Sequence, residues 1–297
     1  MLLRCTASRE GKLNTFLRRE LSMSSSLVSR LKWQNALLVN GAPAHTDYPV
    51  RTGDEVAVRL EETVEGFSPE EMPLSILYED EALIALDKPA GLLTHPSPCR
   101  NDGTLANGLL AYYQKTGQRC GIHPVSRLDR DTFGVVLLAK NAYVHEKFRQ
   151  LHQSGGIRKT YRACVYGAPD ADCGTIDLPV FKLGGGSLLR IVDVRGQQAV
   201  TEFAVLRRWE RTVLLALHPI TGRTHQLRLH CLASGWPILG DPQYATDASR
   251  AYSAQCGIAP QQLCAAELAF THPLTGEAVR ILSQQAVSCP EAEDSRL

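Results

Sequence analysis

The sequence predicts an α+β protein in two unequal parts. Short apolar runs recur in pairs joined by turn residues, the pattern of strand hairpins: residues 76–78 with 83–86 across Glu79-Asp80-Glu81, and 201–206 with 212–217. Helical periodicity is confined to a few stretches, two of which lie together near the N-terminus. Between those two and the first hairpin, residues 61–73 are acidic, lack a period and contain Gly66 and Pro69, which reads as a linker. The expected organisation is therefore a small domain at 1–60, a linker at 61–73, a large domain at 74–290 and a flexible polar tail at 291–297.

In the small domain, Leu13, Leu17 and Leu21 recur at helical spacing. A serine-rich break at 22–26 precedes a second amphipathic stretch with Leu27, Leu31, Arg30 and Lys32. Residues 37–40 read as a strand, Asn40-Gly41 as a turn, and 55–60 as a strand entered through Gly53-Asp54.

In the large domain, the apolar run 134–139 is a buried strand or a short core helix, and Val135 and Val136 favour strand. Val144, Phe148 and Leu151 form a helical stripe closed by Gly155-Gly156. The next segment alternates as a strand does, with Tyr161, Ala163 and Val165 on one face. Residues 184–186 are a glycine loop without the frame of a phosphate cradle. A helix is expected over 224–234, with Leu227 and Cys231 on one face, Gly235 at its end and Arg223 in the turn before it. The large domain opens with its own strand pair, so it is expected to fold without the small one.

Composition narrows the function class. A hydrophobic fraction of 44% and a charged fraction of 21% are ordinary for a soluble globular chain. No apolar stretch is long enough to span a bilayer, and no secretory leader is visible, so cytoplasmic residence is expected. Nine cysteines without a Cys-x-x-Cys pair argue against a disulfide framework or a zinc site, and most should be small buried hydrophobes. Net charge is only +1, but it is unevenly placed: residues 1–60 carry +4, residues 61–81 hold eight acids and no base, and residues 82–160 carry +6. Local patches decide attraction to phosphates, so near-neutrality overall does not exclude a nucleic-acid partner.

The stretch RLDRDTFGVVLLAKN, residues 127–141, is the strongest candidate for chemistry. In an extended segment Arg127 and Asp129 leave the backbone on the same face, beside a rigid buried strand that can hold a catalytic acid. The alternative is a surface ion pair among Arg127, Asp129, Arg130 and Asp131.

This stretch resembles the signature of the large-subunit (RluA) type of RNA pseudouridine synthases, through Arg127, Leu128, Asp129, Thr132 and Gly134. ILYEDEALIALDKPAGLLTHP resembles that family's opening motif, where Asp87 and Lys88 are best assigned structural roles. Lys159, Tyr161 and Ala163 match its second motif, and HPITGRTHQLRLHCLASGWPILGDPQYA its third. ELAFTHPLTGEAVRI resembles the terminal strands. Three positions depart from the family pattern: Ser126 and Cys264 where histidine is usual, and Phe133 where serine is usual.

The resemblance implies a catalytic domain built on a mixed, mainly antiparallel sheet. Asp129, Tyr161 and Arg223 would be the catalytic set, with Arg223 pairing with Asp129. Arg127, Leu128, Thr132, Lys159, Thr224, His225, Gln226 and Leu227 would face the substrate, and Arg127 could fill the space a flipped base leaves. His225 and His230, five apart, cannot share a helix face as metal ligands and are expected in the core or facing RNA. The N-terminal helix pair resembles the alpha-L RNA-binding module.

Exchanging an N-glycosidic for a C-glycosidic bond requires no redox change, so neither a cofactor nor a metal is expected. The implied partner is RNA, ribosomal rather than transfer RNA, bound by a monomer. Rival expectations are a transfer-RNA target, or a catalytically silent RNA-binding or ribosome-assembly factor.

Overall fold

The computed structural model describes residues 1–64, 66–96, 101–184 and 189–290. The glycine loop at 184–186 lies mostly, and the tail wholly, outside the described residues.

The N-terminal part contains β1 (Leu2–Thr6), β2 (Gly11–Lys12), α1 (Leu13–Arg19) and α2 (Ser25–Trp33). It continues with β3 (Leu37–Val39), β4 (Ala42–Pro43), β5 (Pro49–Val50) and β6 (Glu55–Arg59). The serine-rich break is the junction of the two helices, and Ser24 caps α2 by accepting from the Leu27 N–H at 3.2 Å. β1, which the sequence pattern did not reveal, pairs with β6 in a sheet ordered β1-β6-β3-β4. Only Leu3 and Cys5 of β1 turn toward the core, too few for a visible alternation.

The large part begins with β7 (Ile76–Glu79), β8 (Leu83–Lys88), α3 (Leu105–Lys115), β9 (His123–Pro124) and β10 (Phe133–Ala139). Next come α4 (Ala142–Gln153), β11 (Ile157–Tyr166), β12 (Cys173–Asp177), β13 (Val180–Lys182) and β14 (Arg190–Val192). It closes with β15 (Val200–Arg208), β16 (Thr212–Pro219), α5 (Gln226–Ala233), α6 (Asp247–Gln255), β17 (Leu263–Thr271) and β18 (Ala278–Leu282). Its main sheet runs β12-β15-β16-β11-β17-β10-β8-β7, with β18 on β17 and β9 on β10. The ladders are antiparallel except where β10 meets β17 in parallel, so the sheet is mixed and mainly antiparallel.

That parallel contact depends on Gly134. Its φ of +105° suits glycine, and a β-carbon there would collide with the Ala265 carbonyl. β10 is buried along its whole length, as its unbroken apolar run requires.

The two parts share a core. Leu13, Leu17, Leu27 and Leu31 of the small part belong to one apolar cluster with Leu83, Leu137, Tyr143 and Phe148 of the large part. The Tyr143 hydroxyl donates to the Leu21 carbonyl across this seam at 3.0 Å. The segment expected to be a linker is strapped down. Glu62 accepts from Arg30 at 2.6 Å and from the Ala142 N–H at 2.9 Å, and meets His123 at 2.5 Å, while Val64 and Phe67 pack against the apolar cluster shared by β8, α3 and β10.

All eight described cysteines are free; four are buried, three partly buried, and Cys173 is exposed. Among the described residues, no helix is long and apolar enough to cross a membrane.

Candidate active site

Asp129 sits in the loop that feeds β10, and that loop is tied down on all sides. Its own carbonyl accepts from the Thr132 N–H at 3.2 Å, closing a turn. Thr94 donates its hydroxyl to the Leu128 carbonyl at 3.3 Å, and Gln261 donates to the Thr132 hydroxyl at 2.6 Å. Lys88, fully buried at the end of β8, donates to three carbonyls: Pro89 at 2.9 Å, Leu92 at 2.8 Å and Arg130 at 2.8 Å. Burial pulls the Lys88 ammonium down to about 8, against the opposing pull of Asp131 and Asp129. Asp87 points the other way and accepts from Ser283, the Gln284 N–H and Gln285, each at 2.8 Å. Both residues therefore have the structural roles their sequence position suggested.

The loop leaves the Asp129 carboxylate 28% exposed while its neighbours are engaged. Asp131 pairs outward with Arg130 at 3.0 Å, so the surface ion pair is this one. Arg127 and Asp129 do not share the face of a strand, because residues 127–132 form coil and turn; Arg127 is exposed.

The cation that meets Asp129 is Arg228, whose Nη1 lies 3.3 Å from Oδ2. Arg223 does not reach it. Its side chain lies on the surface and donates from Nε to the Gln198 carbonyl at 3.1 Å, because the helix begins at Gln226 and leaves Arg223 in the preceding turn. Arg228, inside the first turn of α5, is fixed by a second carboxylate. Its Nε and Nη2 donate to Asp241 at 2.6 and 2.8 Å, and Nη2 also reaches Gln243 at 3.2 Å. Asp241 is fully buried and also accepts from the Gln243 and Tyr244 N–H groups, both at 2.9 Å. The Tyr244 ring lies under the guanidinium at 4.9 Å from its centroid. Burial opposes the charge on Arg228, but Asp241 and Asp129 outweigh it and raise its pKa.

His225 joins the group from the left-handed N-cap of α5, with φ +59°. Its Nδ1 lies 2.9 Å from the Tyr244 hydroxyl, which accepts from the Arg190 N–H at 2.9 Å, and its Nε2 lies 3.9 Å from Asp129 Oδ2. A tyrosine hydroxyl that donates to Nδ1 puts the ring proton of a neutral imidazole on Nε2, facing Asp129. Burial, the largest influence, lowers the pKa of His225. His230, by contrast, is buried and bonded at Nδ1 to Thr201 and at Nε2 to the Leu178 carbonyl, both 3.0 Å.

Tyr161 comes from β11, where the pairing with β17 slips between Thr160 and Tyr161. Burial, helped by the Asp129 charge, pushes its hydroxyl pKa well up, so the phenol is protonated at neutral pH. Its ring packs against two apolar clusters, one containing Leu128 and the other Leu227. Lys159 is partly buried, which lowers its pKa, and among the described residues its ammonium has no hydrogen bond or ion pair.

The site thus gathers Asp129, Arg228, His225 and Tyr161 beside the apolar clusters that hold Leu128 and Leu227. Thr224 is exposed. Gln226 is a buried brace that accepts from the Thr221 hydroxyl and Arg223 N–H and donates to Val200 and Thr201. Thr132 likewise holds the loop. Arg228 was legible in principle: an arginine within a short apolar helix is rarely buried without acidic partners, and it lies one helical turn after His225.

Comparison with known proteins gives this geometry its family. The family described as RNA pseudouridylate synthase matches residues 82–233, which include Asp129, Tyr161, His225 and Arg228. The chain belongs to the RNA pseudouridine synthases. It is 35% identical over 264 residues to the RNA pseudouridine synthase YjbO of Bacillus subtilis, covering 88% of this chain and 91% of that one. It is 34% identical over 282 residues to the ribosomal large subunit pseudouridine synthase D of Neisseria meningitidis serogroup B, covering 91% and 74%. It is thus a pseudouridine synthase of the RluA type, in a family of isomerases. The fold agrees with a solved human structure, RNA Pseudouridylate Synthase Domain Containing 4, at TM-score 0.58 and 24% identity over 72% of this chain and 88% of that one. Two of the three departures of this synthase from its family pattern fall in the scaffold, while Ser126 lies half-buried in the bend just before Arg127. Phe133 and Cys264 are buried partners in the β10–β17 parallel pair, and the Cys264 thiol lies 3.7 Å from both the Ser283 hydroxyl and the Gln285 carbonyl.

Proposed function

We propose that this synthase converts uridine to pseudouridine at defined positions of structured RNA, large-subunit ribosomal RNA foremost, with Asp129 as the acting carboxylate and no cofactor. The supporting observation is a single solvent-reachable carboxylate held 3.3 Å from an arginine that is itself locked by a fully buried aspartate. The reaction breaks the N1–C1′ bond and forms a C5–C1′ bond while the proton on C5 passes to N1, so the product is an isomer. Asp129 serves the first step as nucleophile or as the base for a sugar proton. Arg228 orients the carboxylate and favours its charged form. Tyr161 holds the uracil plane as it turns, and His225 presents Nε2 to an oxygen of the same nucleotide. A hydrolase with paired acids fits less well, because Asp241 has its lone pairs committed and no route to solvent.

The flipped uridine leaves a gap in the stack, and the role assigned to Arg127, whose side chain is exposed, is to fill it. RNA would also be gripped by the N-terminal helix pair, where Arg18, Arg19 and Ser24 line a groove of about 510 Å³ opposite Glu146 of α4, whose charge is paired with Arg149.

Asp129→Asn keeps the volume and removes the charge. Purified variant protein should bind ribosomal RNA as the wild type does and make no pseudouridine. Turnover by this variant, with contaminating wild type excluded, would sink the assignment. Mapping pseudouridines in ribosomal and transfer RNA from cells with and without the gene identifies the target.

A further inference from the structure

The aromatic side chain at the end of α2 has no role in the site or in the core. Trp33 is 81% exposed, a high value for the residue with the largest ring system. The Lys32 ammonium lies 5.7 Å from its ring centroid, and Gln34 and Asn35 continue the exposed polar run. The surrounding charge is one-sided. Residues 11–35 hold five lysines and arginines against one acid, Glu20, which is bonded to Arg9 and Ser8.

We propose that Trp33 is a stacking platform for an unpaired base of the RNA substrate, with Lys32 beside it on the phosphate backbone. The proposal rests on the RNA-modifying reading above and adds a contact outside the catalytic site. An indole face accepts any base without reading its edge, and a flanking cation neutralises the nearby phosphate; together they make a mount for single-stranded RNA. A duplex keeps its bases stacked on one another and offers the indole only the outer faces of its two terminal pairs. A protein surface of acidic character would also suit Lys32, but it would use the indole only as buried apolar area.

The test uses the full chain with two probes, a mixed-sequence single-stranded RNA and a blunt RNA duplex of equal length, and follows tryptophan fluorescence and affinity against salt concentration. The single strand should quench the exposed Trp33 signal and the duplex should not. Trp33→Ala should weaken single-strand affinity roughly five- to hundred-fold and leave the salt slope unchanged. Trp33→Phe should recover part of the loss. Lys32→Met should flatten the slope by about 0.7. If wild-type protein binds the single strand and Trp33→Ala binds it equally well, the platform is refuted while the RNA reading stands. If wild-type protein binds neither probe and makes no pseudouridine, the RNA reading itself fails. Self-association lost in Trp33→Ala, seen by sedimentation, would overturn the proposal in favour of a protein contact.

Discussion

At the scale of single residues, the two arginines flanking the start of α5 have different fates. Arg228 sits between a reachable carboxylate and a sealed one, and the sealed one decides its position. Lysine would keep the charge and lose the fork, so Asp241 could no longer be bonded twice while Asp129 is also reached. Arg228→Lys should therefore cut single-turnover rate roughly hundred-fold, an effect of misplacement. Arg223→Met, altering a surface side chain, should keep a rate close to wild type at saturating RNA. A reversal of these two outcomes would mean that the α5 turn rearranges on binding. Tyr161 yields a second prediction. Because burial and Asp129 keep its phenol protonated, it cannot act as a standing base; it helps the C5 proton leave only by relaying it or by donating. Tyr161→Phe should retain RNA affinity and slow tritium release from C5 roughly hundred-fold, and an unchanged release rate would reduce Tyr161 to packing. The strand patterns located the scaffold around Asp129 and Tyr161, but only the family resemblance singled out the two residues, because a surface ion pair and a half-buried strand aromatic leave the same pattern. The pairing of Arg223 with Asp129 came from the resemblance alone; the left-handed His225 starts the helix at Gln226, so Arg228 in its first turn meets Asp129 while Arg223 stays on the surface.

At the scale of elements, Lys88 makes the end of β8 a clamp on the Asp129 loop. Its pKa is about 8 in the folded chain, largely through burial, against roughly 10.4 for an unfolded lysine. Between these values the unfolded chain holds the extra proton, so this group makes stability rise with pH across that window; below it the full penalty of burying the charge is present. Lys88→Met should abolish that rise in denaturant titrations run at a series of pH values. It should also cost about 1–3 kcal/mol, for carbonyls left without a donor, and lower turnover by loosening Asp129. A Lys88→Met protein with wild-type stability, pH dependence and rate would show that the clamp is idle. Sequence patterns located the hairpins because short apolar runs are bounded by turn residues, β8 being buried throughout, and α4 because one stripe of it is buried. α3 escaped notice because seven of its eleven residues are buried, leaving no polar stripe to set a period. α6 escaped because its buried positions include Ser249 and Ser253, which carry no apolar signal.

At the scale of the whole molecule, the two parts are joined by a common core more than by a tether. The acidic character of residues 61–73 suggested a free linker, but Glu62 is acidic because it accepts from three partners on both sides of the seam. Removing residues 1–60 would take away part of the apolar cluster that holds Leu83, Tyr143 and Phe148 and leave the Tyr143 hydroxyl without its Leu21 partner. The shortened protein should melt several degrees lower and aggregate, and saturating turnover should fall with the folded fraction. A truncated protein that melts with the wild type would show that the seam contributes little, and that the large domain folds alone, as its own strand pair had suggested.

The position of β17 carries a consequence for how the chain is made. This strand lies in the middle of the main sheet, between β10 and β11, yet it follows both of them in the chain by more than ninety residues. During synthesis the β10 side and the β11 side therefore emerge as two half-sheets with a missing seam, each showing an open edge until residues 263–271 leave the ribosome. An enzyme whose family acts on RNA thus spends most of its own translation unable to close the sheet that holds its chemistry, with unpaired strand edges of the kind that favour aggregation.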